Sequence, residues 1–303
     1  MNNWRGYVSP VICQRGGEGV LFSAAKDSLV DPTCSRPQRS VISAASGYGK
    51  TVFLMNYFLS HAKTYVSTGG MLPFFLELRD LRDRATDHES LLRMLAGVIS
   101  ASSGSGQADE LDELLPHLRE LSASHRLLLL VDGLDQASLK DYTLDRIFGS
   151  WAALDIFGGA QVIAAGRPFV VDEWLLKKSL RGYRVLEIRP FGPAQISDYF
   201  ERIGVDADAQ RSILDGFSEV CQVPMLMFLV GDLCLRGEIS QLECRANVYD
   251  LFINHIIHEN EFRISDQLDD AERSVIRKRG NYRDFLEHVS FLAIQAREVP
   301  GLA

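Results

Sequence analysis

The chain has 303 residues, 46% of them apolar, and a formal net charge of −8 at neutral pH. That length and apolar content allow one large domain or two modest ones with a full core, and the acidic balance argues against a nucleic-acid surface as the main business. Five cysteines with no CxxC pair suit a reducing compartment. With no signal-peptide pattern and no run of about 18 apolar residues, a cytoplasmic location without a membrane span is expected.

Residues 1–38 carry little pattern. YVSPVICQ, from Tyr7, fits an edge strand or an extended arm, LFSAAKDSLV fits a short helix or strand, and DPTCSRPQRS is turn-like. A first core strand is expected over 40–45. It runs into VISAASGYGKTVF, Val41–Phe53. Ala44, Ala45, Ser46, Gly47, Tyr48 and Gly49 make a loop of mainly small residues. Lys50 and Thr51 follow, and a helix to about His61 is marked by Val52, Phe53, Met55, Phe58 and Leu59. Apolar strand, glycine-bearing loop and helix N-terminus together are the context of a phosphate-binding loop. Its backbone N–H groups can hold an anion, and the helix end adds partial positive charge. In that reading Lys50 reaches the β and γ phosphates and the Thr51 hydroxyl completes the shell of a Mg²⁺ ion. The plain alternative is a strand–turn–helix with a chance Gly-Lys-Thr, and the buried-type strand before it argues against that. One position departs from GxxxxGK[ST]: Ala44 stands where the first glycine belongs. Alanine tolerates positive φ poorly, so a tighter start to the loop is expected.

Further on, a strand is expected over Leu72–Leu78 and helices over Glu89–Ser100 and Glu110–Ser122, each with leucines at helical spacing. Leu127–Val131 is continuously apolar, as a central parallel strand covered on both faces should be. Asp132 ends that strand, where open α/β sheets bind ligands, and a carboxylate there can hold Mg²⁺. Asp135 is a candidate to orient or deprotonate an attacking water, with a helix cap as its plain alternative. One or two helices are expected between Leu139 and Phe157, then a strand over Gln161–Ala165. Arg167 follows it, at the side where a γ-phosphate would lie. A guanidinium there would sense or stabilise phosphoryl charge, and a surface salt bridge is its plain alternative. A helix containing VVDEWLLKKSL, a fifth strand over Arg184–Ile188 and a helix opened by Pro193 complete the pattern.

After that the chain reads as helices only, at about 207–218, 225–235, 246–259, 266–278 and 282–297. His255 and His258 share a helix face there, but no cysteine stands beside them, so zinc is not expected. The expectation is therefore an α/β fold, a three-layer P-loop NTPase domain with a five-stranded, mainly parallel sheet, followed by a helical domain. The divisions fall at 1–38 for an arm or linker, 39–205 for the core and 206–303 for the helical part. The long interval between Lys50 and Asp132 leaves room for an inserted strand.

Several ordered features resemble the NACHT-type NTPases of the signal-transducing STAND branch, over about residues 38–260. AASGYGKT resembles the phosphate loop, LLLLVDGLDQ the acidic motif hhhhDGLDE, and VIAAGRP the strand with its arginine. VLEIRPFGPAQISDYF resembles the run into the helical domain, and QVPMLM that domain's proline motif. The resemblance implies ATP or ADP as ligand, with Pro224 against the adenine or ribose side. It implies a switch that self-oligomerises on activation and works with an effector or sensor protein. Gln136 replaces the usual glutamate, so slow hydrolysis resting on Asp135 alone is expected. The lack of room for an effector before residue 38 leads to the expectation of a bacterial, anti-phage member. The end of the chain reads as the start of a winged-helix segment. Two other readings stand beside this one. The first is a scaffold that keeps its nucleotide without hydrolysing it. The second is a nucleic-acid-linked ATPase regulator using Arg36, Arg39, Arg277, Lys278 and Arg279, which the acidic balance weighs against.

Overall fold

A computed structural model describes residues 7–15, 22–23, 29–30, 36–78, 85, 87–103, 108–134, 156–176, 182–237 and 247–248. Among them seven strands form one sheet: β1 (Val11–Gln14), β2 (Phe22–Ser23), β3 (Arg39–Ser43), β4 (Leu72–Glu77), β5 (Leu127–Asp132), β6 (Gln161–Gly166) and β7 (Arg184–Ile188). Their order is β2-β1-β7-β3-β6-β5-β4. The five strands from β7 to β4 pair in parallel, as the apolar runs imply. The two extra strands come from the N-terminal stretch, where β1 lies antiparallel to β7 and β2 antiparallel to β1. The question of strand or arm is thus answered as strand. Ile12 is fully buried, Arg15 N–H donates to the Val185 carbonyl and Arg189 N–H to that of Val11, each at 2.9 Å. Arg15 also pairs with Glu187 at 3.0 Å and with Asp172.

The helices are α1 (Lys50–Thr68), α2 (His88–Ser103), α3 (Ala108–Ala123), α4 (Pro168–Leu176), α5 (Pro193–Ile203), α6 (Ala207–Cys221) and α7 (Pro224–Leu235). They cover both faces of the sheet. On one face Phe53, Leu54 and Tyr57 of α1 pack on Ile42, Leu128, Leu130 and Ile163. On the other, Leu91, Leu92 and Leu95 of α2 and Leu115 and Leu118 of α3 pack on Leu127, Leu129, Val131 and Val162. Successive β5 residues point to opposite faces, so all of Leu127–Val131 are apolar, and Asp132 ends the strand half-buried. Each buried leucine of that strand contributes roughly 1.5–3 kcal/mol. In sequence β4 lies between the Lys50 loop and β5; in space β6 does.

Several elements differ from the expected bounds by one to three residues, and two helices end in ways that have a physical reason. Helix α1 runs past His61 to Thr68. The β-branched residues near its end cost only tenths of a kcal/mol each in propensity. The first true stop is Gly69, left-handed at φ 69°, whose N–H bonds the Tyr65 carbonyl. Helix α6 has its expected end near 218 marked by a kink instead, at Phe217 with φ −133°. Asp206 caps its start by accepting from the N–H groups of Asp208 and Ala209.

Residues 1–236 form one compact unit and 237–303 another. In the second, Val248 is buried. The expected helices at 266–278 and 282–297 and, save for residues 247–248, the one at 246–259, with His255, His258 and Arg277–Arg279, lie outside the described residues, as do Asp135, Gln136 and all of 139–155. No helix among the described residues is long and apolar enough to cross a membrane.

Candidate functional site

The loop between β3 and α1 sits at the carboxyl edge of the parallel strands. Its two left-handed residues are Gly47 at φ 81° and Gly49 at φ 79°. Among the described residues, His125 is the sole non-glycine with positive φ. Ala44 therefore carries none of the backbone strain that its replacement of glycine suggested. Its methyl is buried beside Ile42, Phe53 and Leu54, and its N–H donates to the Gly166 carbonyl at 3.2 Å, continuing the β3–β6 ladder by one bond. The left-handed turns fall three and five residues later, where glycine is present.

Lys50 is the first residue of α1, after the Gly49 cap. Its ammonium donates to the carbonyls of Ala44 and Ala45 at 2.7 and 2.9 Å. The side chain thus lies back over the loop rather than out along the helix. Thr51 donates its hydroxyl to Asp132 Oδ2 at 2.5 Å, and Gly133 N–H donates to Oδ1 at 2.8 Å. The carboxylate at the end of β5 is so aimed at the first turn of α1, although 81 residues separate the two in sequence. Three hard oxygens, the hydroxyl and the two carboxylate atoms, converge here. That donor set fits Mg²⁺.

Arg167 directly follows β6, whose Gly166 is in register with Ser43 of β3. It is exposed, and its carbonyl accepts from Val170 and Val171 to start α4. It therefore stands at the same edge as the loop. Pro224 is the first residue of α7 and half-buried. The next residue, Met225, donates its N–H to the Gly47 carbonyl at 3.1 Å. The fold thus gathers Ala44–Gly49, Lys50, Thr51, Asp132, Arg167 and Pro224 around one edge. Asp135 lies outside the described residues.

Three neighbours were missed in the sequence. Glu77 ends β4 in register with Asp132, and residues opposite one another in a parallel pair share a face. Its signal was its place at the end of an apolar run, the same signal that marked Asp132. Val223 and Met225 flank Pro224 against Gly47, and nothing local in the sequence pairs them with a glycine so far away.

Solved structures similar to the chain include the Aeropyrum pernix ORC1 protein in complex with DNA, at 17% identity, a TM-score of 0.42, and coverage of 78% of this chain and 64% of that one. AMPPCP-bound DnaA from Aquifex aeolicus matches at 16% identity and a TM-score of 0.40, covering 73% of this chain and 63% of that one. Drosophila ORC bound to DNA matches at 15% and 0.43, covering 71% and 65%. The chain thus spans less than two thirds of the length of each. No curated protein gives a significant match. The NACHT domain model matches residues 38–207, more than half of the chain. This span holds the Lys50 loop, Asp132 and Arg167, so the chain belongs to the NACHT family of P-loop NTPases.

Proposed function

We propose that the carboxyl edge of the sheet binds ATP or ADP with Mg²⁺, hydrolyses ATP slowly, and so works as a molecular switch. The observation that carries this reading is the Thr51–Asp132 hydrogen bond, which places a loop hydroxyl and a strand carboxylate together beside Lys50. The N–H groups of Ala44–Gly49 would cradle the phosphates. Lys50 would exchange its loop carbonyls for phosphate oxygens, and Pro224 would meet the adenine or ribose side. Thr51 and Asp132 would hold the Mg²⁺, which neutralises phosphate charge when bound. Asp135 would position the water, and Arg167 would read the γ-phosphate.

As a switch, the nucleotide state would set the arrangement of a core, residues 39–205, and a helical part, residues 206–303. ATP would favour a self-associating form that signals to an effector or sensor protein, in immune defence against phage. The two forms need differ by only a few kcal/mol, because a ligand shifts populations by its differential affinity. Arg39, one of the basic residues weighed for nucleic acid, donates to the Gly158 carbonyl at 3.1 Å and lies 5.9 Å from the Tyr183 ring. Those contacts favour a structural role for it, and no salt-dependent DNA binding is expected.

The test begins with the purified protein: it is denatured, released nucleotide is identified, and phosphate release is followed with added ATP and Mg²⁺. Bound ADP and slow turnover are expected, the turnover vanishing in D135A. Charge-assisted bonds to phosphate contribute about 1.5–3 kcal/mol, so K50A should weaken ADP binding roughly 10- to 100-fold in a fluorescence titration. Wild-type ADP affinity in K50A would overturn the site assignment. Tight nucleotide without turnover would favour the scaffold.

A further inference from the structure

The start of α7 lies against the phosphate loop at one residue. Val223 is extended, with φ −92° and ψ 112°, and Pro224 opens the helix. First-turn N–H groups have no partner within their own helix, and proline has no N–H. Met225 therefore offers the first donor of α7, and it bonds the Gly47 carbonyl at 3.1 Å. Side chains close the same contact. A Cβ added at Gly47 would stand 3.2 Å from Val223 Cγ1 and 3.3 Å from Met225 Cβ and Cε. A Cβ added at Gly49, equally left-handed, would meet nothing within 4 Å. Of the two glycines, only Gly47 is also pressed by another element. The α7 start is held in turn, because Phe191 N–H bonds the Gln222 carbonyl at 2.9 Å and Leu226, Met227 and Val230 are buried.

A trans peptide is planar, so the C=O of Gly47 and the N–H of Tyr48 point in opposite directions. Fixing the carbonyl on α7 turns the Tyr48 N–H away from α7. A glycine peptide left to itself has little preference between two such orientations, because glycine accepts either sign of φ. We propose that Met225, through its backbone N–H and with Val223 packed beside it, is a positioning residue that holds the 47–48 peptide so that Tyr48 N–H faces a bound phosphate. The proposal rests on the nucleotide reading above and adds to it a specific coupling between the helical segment and the phosphate loop.

The test exchanges the Met225 amide for an ester in the full chain, by incorporating the α-hydroxy acid of methionine, which deletes the N–H and keeps the side chain. ADP and adenosine affinities are measured by competition, with K50A in parallel. A neutral hydrogen bond of this kind should give about a 3- to 10-fold loss of ADP affinity with adenosine affinity unchanged, since adenosine has no phosphate to feel the loop. Equal losses for both ligands, or unchanged ADP affinity where K50A has lost it, would overturn the inference. Unchanged ADP affinity in K50A as well would overturn the nucleotide reading and this inference with it. A double-mutant cycle gives a second measure if the ester chain folds poorly. V223A should recover part of the ADP affinity lost in G47A by removing the nearest atom, and strict additivity of the two would count against the coupling.

Discussion

At the amino end of β6, Gly158 and Gly159 lie against His88, Ser122 and His125. At the carboxyl end of the neighbouring β3, Gly47 and Gly49 lie beside Lys50 and Thr51. The first pair is closely packed on the side where a Cβ would stand. A Cβ on Gly158 would stand 2.6 Å from the His88 ring, and one on Gly159 would collide with the Ser122 carbonyl. His88 Nδ1 donates to the Ile156 carbonyl at 3.0 Å, its Nε2 meets the Ser122 hydroxyl at 3.2 Å, and His125 Nδ1 donates to the Gly159 carbonyl at 2.8 Å. Arg39 covers the Gly158 carbonyl. His88, Ser122, His125 and Arg39 thus bond groups of this same end. At the carboxyl end the polar groups also meet, but Lys50, Thr51, Asp132 and Arg167 reach the surface. Gly159 serves space and Gly49 serves backbone conformation, while Gly158 and Gly47 serve both. The exposed Thr51 and Arg167 stand at the end where the nucleotide site is proposed.

Substitutions can separate the two roles. The largest effect is expected from the glycines themselves. G159A forces a methyl into a backbone carbonyl that has nowhere to go, and should cost about 3 kcal/mol or more of stability. In urea denaturation the midpoint should fall, while ADP affinity of the folded protein stays as it was. G49A meets open space and pays only the left-handed backbone cost of about 1–2 kcal/mol, yet ADP affinity should drop at least about tenfold because the loop distorts. An exchange of these outcomes between the two variants would break the comparison.

The charge at the strand end is tested by D132N. It keeps an acceptor for Thr51 and loses the charge, so phosphate release with Mg²⁺ should fall about 100-fold with little change in the denaturation midpoint. Unchanged turnover would leave Asp132 as the end of a strand and nothing more. The last variant lies at the amino end of β6. H88A leaves the Ile156 carbonyl without this donor and the Ser122 hydroxyl without this partner, a loss of about 1–3 kcal/mol in stability. Nucleotide affinity should not move, and a change in it would show that the two ends communicate.

How far the sequence could be read depends on how local each feature is. The parallel strands were legible because a strand buried on both faces must be apolar throughout, as Leu127–Val131 is. The Lys50 loop was legible because strand, glycines and helix start are contiguous. Strand β1 stayed open between two readings, since its partner β7 lies far along the chain and four residues carry little periodicity. The packing of Gly158 and Gly159 against His88 and Ser122 was not legible, because it comes from elements remote in sequence. Ala44 looked like a defect by pattern, but the left-handed turns lie at Gly47 and Gly49.

By itself, then, the sequence determined the five parallel strands, the helices that follow them as far as Leu235, and that a phosphate-type loop precedes an acidic strand end. Those properties follow from side-chain periodicity and backbone preferences acting over a few residues. Only the tertiary structure decided that β6 lies between β3 and β5, that Thr51 meets Asp132, that Glu77 stands beside Asp132, and that Met225 bonds Gly47. Each of these joins atoms from distant parts of the chain. Such pairings arise when packed layers exclude water and leave each polar group to find whichever partner the fold has brought near.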